Sequence, residues 1–277
     1  MRRAGPAPGH RRRAVREHAA EEYLVAEKPD YFGGIVRVFD QHCAPGWMRL
    51  EDALRTNAPT TWDPDTQVSL FDNLDPAFVG DFWAGMFSMS TWTARVVASS
   101  VDFTGTRRFL DVGGGGTPYG IVLCQQNPEL RATVYDLPQA CEFARGKITE
   151  AGLGDRIEVV EGDFFVDAAL PGGHDTILLS MILHDWAEPE CRAILDKCWR
   201  ALPPGGRLMI SELLVDDTKD GPVDAALMSI HMLVETFGRN YTESEYTRWL
   251  TDTGFDKIHT IRFEALSANG VVIGTKA

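Results

Sequence analysis

Short apolar runs alternating with amphipathic helical stretches predict an α/β fold: a doubly wound, mostly parallel sheet with an antiparallel C-terminal hairpin, preceded by a short helical region. Three observations carry the prediction. The apolar run 108–112 meets four consecutive glycines, Gly113 to Gly116, and then a helix start, the strand–turn–helix that opens such a sheet. Two later runs, 131–136 and 157–165, carry acidic residues at or near their ends, Asp136 and Asp163, and Asp111 holds the matching place before the glycines. Acidic groups at three strand ends then face the crevice where open α/β sheets bind ligands.

Taken in order, the first twenty residues set Arg2, Arg3, Arg11, Arg12, Arg13 and Arg16 among glycines and prolines, and read as a disordered or non-native basic segment. Residues 21–105 read as helical. Stretches 21–25, 31–42 and 47–54 repeat apolar residues three and four apart. Asp75 is placed as an N-cap with Pro76 at the first helical position, and the helix runs to Ser90 with Phe78, Phe82, Met86 and Met89 on one face. Residues 106–277 carry the sheet. After its first three strands, 175–183 is too apolar to face water on either side and reads as a buried fourth strand ending at His184. An amphipathic helix over 188–202, a turn at Pro203–Gly206 and a fifth strand over 207–214, with Glu212 near its end, follow. Residues 224–235 form a helix, Thr242 and Glu245 show a capping-box pattern that starts another, and two strand-like runs after Phe255 close the chain.

The 277 residues carry 27 Lys and Arg against 40 Asp and Glu, a net charge of −13. Nucleic-acid binding is excluded on that balance, because phosphate contacts need clustered Lys and Arg. No run approaches the roughly 18 apolar residues of a spanning helix, so no membrane partner is expected. A signal peptide is also absent, and five cysteines without C-x-x-C spacing read as reduced core thiols; the location implied is cytoplasmic.

A dinucleotide fingerprint begun at Gly113 and Gly115 fails because its third glycine falls on Pro118. The Asp-x-Gly-Gly-Gly run instead resembles motif I of the S-adenosylmethionine-dependent methyltransferases. Asp136, about 20 residues past the glycines, is placed where a carboxylate can accept both ribose hydroxyls of an adenosine. Gly162, Asp163 and Phe164 are suited to binding and covering an adenine ring. Asp111, Gly114, Gly115, Leu137 and Ser180 complete the candidate cofactor set. His184 is the candidate general base, since an imidazole can take a phenolic proton near neutral pH. Glu212 is placed to orient it, and Asp185, read as turned away toward backbone groups, completes the candidate catalytic set.

The motifs DVGGGG, VYDLP, EGDFF, ILHDWAEPEC, LPPGGRLMISELL and GRNYTESEY, in this order, resemble the plant-type caffeic acid and hydroxyindole O-methyltransferase family and its bacterial natural-product members. The resemblance covers roughly residues 21–277. It implies a Rossmann-like domain that binds S-adenosylmethionine, a homodimer, and methyl transfer to a hydroxyl of a small aromatic secondary metabolite with His184 as base. Two departures stand out: the family's winged-helix dimerisation region is almost wholly missing from this sequence, and Ser180 stands where many plant members have lysine. Trp83, Met86, Met181, Met228, His231 and Met232, with Phe82, Met89 and Trp92, are expected to form an apolar acceptor pocket. An alternative reading uses His231 differently. With His184 and Asp185 it would make a His-Asp-His metal site for iron or zinc, like that of the α-keto acid C-methyltransferases, which methylate a β-carbon. A methyltransferase-like protein without activity is the third reading, opposed by the intact strand-end carboxylates and His184.

Overall fold

The computed structural model describes residues 21–25, 31–67, 70 and 76–277, with side chains omitted at 21–22 and 76–77. The basic segment 1–20 and Asp75 lie outside the described residues.

Alternation along the strands decides the layering. In β1 (Arg108–Val112), Phe109 packs into one core while Leu110 and Val112 pack into another, as period-two side chains must. The same division holds in β2 (Arg131–Asp136), where Val134 and Tyr135 part, and in β4 (Thr176–Ser180), where Leu178 opposes Ile177 and Leu179. With β3 (Ile157–Glu161), β5 (Arg207–Glu212), β6 (Phe255–Arg262) and β7 (Gly270–Lys276) these form a seven-stranded sheet in the order β3-β2-β1-β4-β5-β7-β6. β1 to β5 are parallel, and the closing β6–β7 pair runs antiparallel as the sequence predicts. The chain passes from the β3 edge back to β4 beside β1, so the β1/β4 seam is the switch point at which open sheets hold ligands.

Helices preceding the sheet roof that seam. A 3-10 turn (Glu21–Leu24) replaces the helix expected there. α1 (Gly33–Val38) widens into a π turn at Phe39–Cys43, continues as α2 (Ala44–Trp47), and breaks before α3 (Leu50–Thr56), so the expected run from Trp47 to Leu54 is interrupted. α4 (Pro76–Ser100) is longer than expected, at 25 residues, because its apolar pattern continues past Ser90: Ala94 and Val97 join the core below the sheet. Its earlier face, Phe78, Phe82, Met86 and Met89, packs on Ile35, Val38 and Cys43.

The remaining helices are α5 (Pro118–Gln126), α6 (Pro138–Glu150), α7 (Glu188–Ala201), α8 (Val223–Glu235) and α9 (Glu243–Thr253). α9 opens with the expected capping box between Thr242 and Glu245. All five cysteines are buried and free. Among the described residues, no helix is long and apolar enough to cross a membrane.

Candidate active site

A cavity of about 700 Å³ opens at the carboxyl ends of β1, β2 and β4. Its floor is the turn after β1. Gly113 and Gly115 have positive φ (68° and 54°), a region costly for residues with a Cβ, which is why the sequence needs glycine there. Burial pushes the Asp111 carboxyl under this turn up to about 7, while Thr117 Oγ1 donates to it at 3.1 Å. Asp136 receives Gly115 N–H on one oxygen and Leu137 N–H on the other, both at 2.7 Å. Burial still raises it to about 6. Each Asp136 oxygen keeps a further lone pair free to accept from a ligand.

Gly162, Asp163 and Phe164 line the same end. Asp163 also accepts Phe165 N–H at 2.7 Å, a local turn bond. The Phe164 ring meets Phe165 and Trp186 edge-on at 4.7 and 6.1 Å, an aromatic rim beside the carboxylates. Ser180 Oγ donates to Tyr119 Oη at 2.9 Å.

His184 stands on a 3-10 turn, Leu183–Asp185, rather than at the strand end itself. β4 stops at Ser180 because Met181 turns the chain with φ 54° and the Ile182 and Leu183 N–H groups then donate to Glu212 Oε1 at 3.1 and 3.2 Å. Glu212 is fully buried on the neighbouring strand, and its Oε2 lies 2.9 Å from His184 Nδ1. The N–H does not point squarely at that oxygen, so the contact is an ion pair rather than an aligned hydrogen bond. One carboxylate thus holds both the turn and the ring.

Complete burial acts most strongly on His184 and disfavours its charge. Glu212 and Asp185 together outweigh it and raise the pKa to about 9. Asp185 does not turn away toward backbone groups as expected. It lines the cavity with Oδ1 3.6 Å from His184 Nε2, and burial pushes it to about 6 against the pull of the imidazole.

The His-Asp-His metal site is not formed. Among the described residues the only group of three ligand atoms within 4.8 Å of one another is Cys43, His231 and Glu235, which leaves out His184 and Asp185. The reason is local: Glu212 holds the Nδ1 side of His184, and Trp47 Nε1 donates to His231 Nδ1 at 3.0 Å. Trp83, Met86, Met181, Met228, His231 and Met232 do line the cavity, with Phe82 and Met89. Trp92 does not; its ring lies against Tyr23 and Arg95 instead.

The O-methyltransferase domain profile matches residues 47–256. The chain belongs to this family. It is an S-adenosylmethionine-dependent methyltransferase, and its similarity to individual members is extensive. It is 53% identical over 258 residues to the 3-hydroxy-5-methyl-1-naphthoate 3-O-methyltransferase of Streptomyces sahachiroi, covering 93% of this chain and 74% of that one. Identity is 34% to the L-tyrosine C(3)-methyltransferase of Streptomyces lavendulae, over 86% and 67% of the two chains. The solved structure of PigF with SAH, a Serratia methyltransferase, superposes with a TM-score of 0.85 at 32% identity, covering 94% of this chain and 78% of that one.

S-adenosylmethionine fits the turn end of this methyltransferase: Gly113 to Gly116 line the cavity there, beside the buried Asp136 carboxyl, whose oxygens keep free lone pairs. Asp111, Asp136, Leu137, Gly162, Asp163 and Phe164 are the residues that could hold it.

Sequence reasoning missed several groups. Gly238 packs so closely on the His184 turn that a Cβ there would lie 2.0 Å from the His184 carbonyl oxygen. Tyr241 Oη donates to Trp186 O at 2.6 Å, and Cys191 Sγ donates to Leu183 O at 3.1 Å, so the turn is held from three sides. Glu235 was readable as a lone acid at the end of an apolar helix. It lines the cavity with Phe39 and Cys43.

Proposed function

We propose that this methyltransferase acts on a phenolic hydroxyl of a fused bicyclic aromatic acceptor, with His184 Nε2 taking the hydroxyl proton. One observation carries the reading: His184 lines the same cavity as the glycine turn and the apolar, aromatic residues of α4 and α8, with its Nδ1 side held by Glu212. The Nδ1–H that faces Glu212 leaves the Nε2 lone pair toward the cavity. When bound, S-adenosylmethionine supplies an electrophilic methyl group on a sulfonium. Leu137, Asp136 and Asp111 hold the donor at one end; Met86, Met181 and Met232 close off water at the other. Positioning the hydroxyl against the methyl can itself supply roughly 7–11 kcal/mol. Proton removal adds about 10²- to 10⁴-fold.

The relative that methylates a hydroxynaphthoate supports a bicyclic acceptor for this chain. Homodimerisation through the helical region 21–105 belongs to the same reading, supported by the exposed apolar side chains Leu24, Phe39, Met48 and Leu54. Five free, buried thiols support a cytoplasmic location.

Incubation with S-adenosylmethionine and 3-hydroxy-1-naphthoate is expected to yield a monomethyl ether and one equivalent of S-adenosylhomocysteine, read by mass spectrometry and proton NMR. A ring-methylated product would move the reading to C-methylation, as in the tyrosine relative; no transfer to any hydroxynaphthoate would reject the acceptor class.

The rate should also depend on pH in a set direction. The reactive form is neutral His184, whose pKa in the free protein is raised to about 9. Acceptor turnover therefore rises with pH from about 6.5 upward, with its midpoint near 9 and its plateau about one pH unit higher. A profile flat below pH 9 contradicts a protonated resting histidine.

A further inference from the structure

The apolar end of the cavity holds two polar groups that neither His184 nor the glycine turn uses. Trp47 Nε1 donates to His231 Nδ1 at 3.0 Å. Nδ1 is therefore the acceptor nitrogen of a neutral ring, and the ring proton sits on Nε2. Burial lowers the His231 pKa and keeps that ring neutral. Among the described residues, no hydrogen bond takes up Nε2–H.

Glu235, 4% exposed, presents the complementary group. Its Oε2 lies 3.0 Å from His42 Nε2 and accepts Thr61 Oγ1 at 3.2 Å. Its Oε1 is buried and accepts no aligned hydrogen bond among the described residues, with the Cys43 thiol near the carboxylate. A buried acceptor left unpaired is costly, so a native one calls for an occupant. Both residues line the cavity, with a His231 nitrogen and a Glu235 oxygen within 4.8 Å. They also lie near the reacting groups, since the charge of Glu235 adds to the upward push on Asp185.

A metal between Cys43, His231 and Glu235 does not suit this arrangement. Ligation needs a ring lone pair, yet the one on Nδ1 is taken by Trp47 and Nε2 carries hydrogen. Burial and Glu235 also push the Cys43 thiol far up, leaving it protonated. Three organic groups remain to be weighed. A carboxylate offers acceptors only and meets the charge of Glu235; an ammonium offers donors only and leaves Nε2–H unpaired. A hydroxyl does both from one atom.

We propose that His231 and Glu235 form a recognition site for a second hydroxyl on the acceptor, distinct from the one methylated: Nε2–H donates to its oxygen, and its O–H donates to Glu235 Oε1. The proposal rests on the aromatic-acceptor reading above and makes dihydroxylated bicyclic aromatics the acceptors that bind most tightly.

The test is calorimetric binding to the protein saturated with S-adenosylhomocysteine, using 2-naphthol and the 1,5-, 2,6- and 2,7-dihydroxynaphthalenes. At least one diol is expected to bind about tenfold or more tightly than 2-naphthol, as a site built to pair a hydroxyl rejects the analogue lacking it. That preference should vanish in His231→Leu and in Glu235→Gln, whose amide oxygen stays with His42 and Thr61 and turns its N–H₂ to the cavity. His231→Gln should retain it, because its oxygen can accept from Trp47 while its nitrogen donates inward. Unchanged S-adenosylhomocysteine affinity shows each variant folded. Diols that bind no tighter than 2-naphthol, or a preference that survives Glu235→Gln and His231→Leu, would overturn the proposal alone. Normal S-adenosylhomocysteine binding with no naphthalene bound would overturn it together with the aromatic-acceptor reading.

Discussion

Replacing His184 with alanine is expected to lower turnover of a phenolic acceptor by about 10²- to 10⁴-fold, the usual contribution of a positioned base, with S-adenosylhomocysteine affinity within about threefold of wild type. The separation follows from the geometry. Among the described residues, the His184 ring pairs with Glu212 and Asp185 and with no residue of the glycine turn. Removing the ring leaves Glu212 Oε1 with the Ile182 and Leu183 amides, so the turn is kept. Isothermal titration and steady-state rates on the same preparation check the result. A parallel loss of rate and cofactor affinity would mean that the histidine holds the donor rather than the proton.

Gly238→Ala is expected to damage the site from outside it. The added Cβ would sit 2.0 Å from His184 O and 2.5 Å from Trp186 N, and both are backbone atoms that no rotamer change relieves. The turn they belong to is also fastened by Tyr241 and Cys191, so it cannot simply retreat. A clash of this kind costs about 3 kcal/mol or more. For a chain of this size that lowers Tm by roughly 6–12 °C. Activity should fall with it, because any shift of the turn carries His184 away from Glu212. Scanning calorimetry reads the first effect and the acceptor assay the second. A variant melting within about 2 °C of wild type with full activity would contradict the packing described here.

The pairing of His184 with Glu212 was legible because β4 and β5 are parallel neighbours, Ser180 opposite Ser211, which brings their carboxyl ends together. The glycine turn was legible because glycine adopts positive φ, as Gly113 and Gly115 do here, without the steric cost other residues meet. The orientation of Asp185, the left-handed Met181 and the approach of Gly238 were not. Each depends on a partner far along the chain, and no periodicity marks such contacts. His231 shows the limit most clearly. It stands on α8 and lines the cavity, but its partner is Trp47, 184 residues away. That bond takes up its Nδ1, and its ligand-bearing neighbours are Cys43 and Glu235 rather than His184 and Asp185.

The most direct test of the account is the pH dependence of acceptor kcat/KM in wild type and Glu212→Gln. In the variant the amide oxygen can keep the Ile182 and Leu183 N–H groups while the amide nitrogen donates to His184 Nδ1, moving the ring proton to Nε2 and removing the charge that raises the pKa. The account predicts a plateau at least about 10²-fold lower and an acid limb displaced downward by about one pH unit or more. A variant with the wild-type profile and plateau would show that the Glu212–His184 pair does not carry the proton.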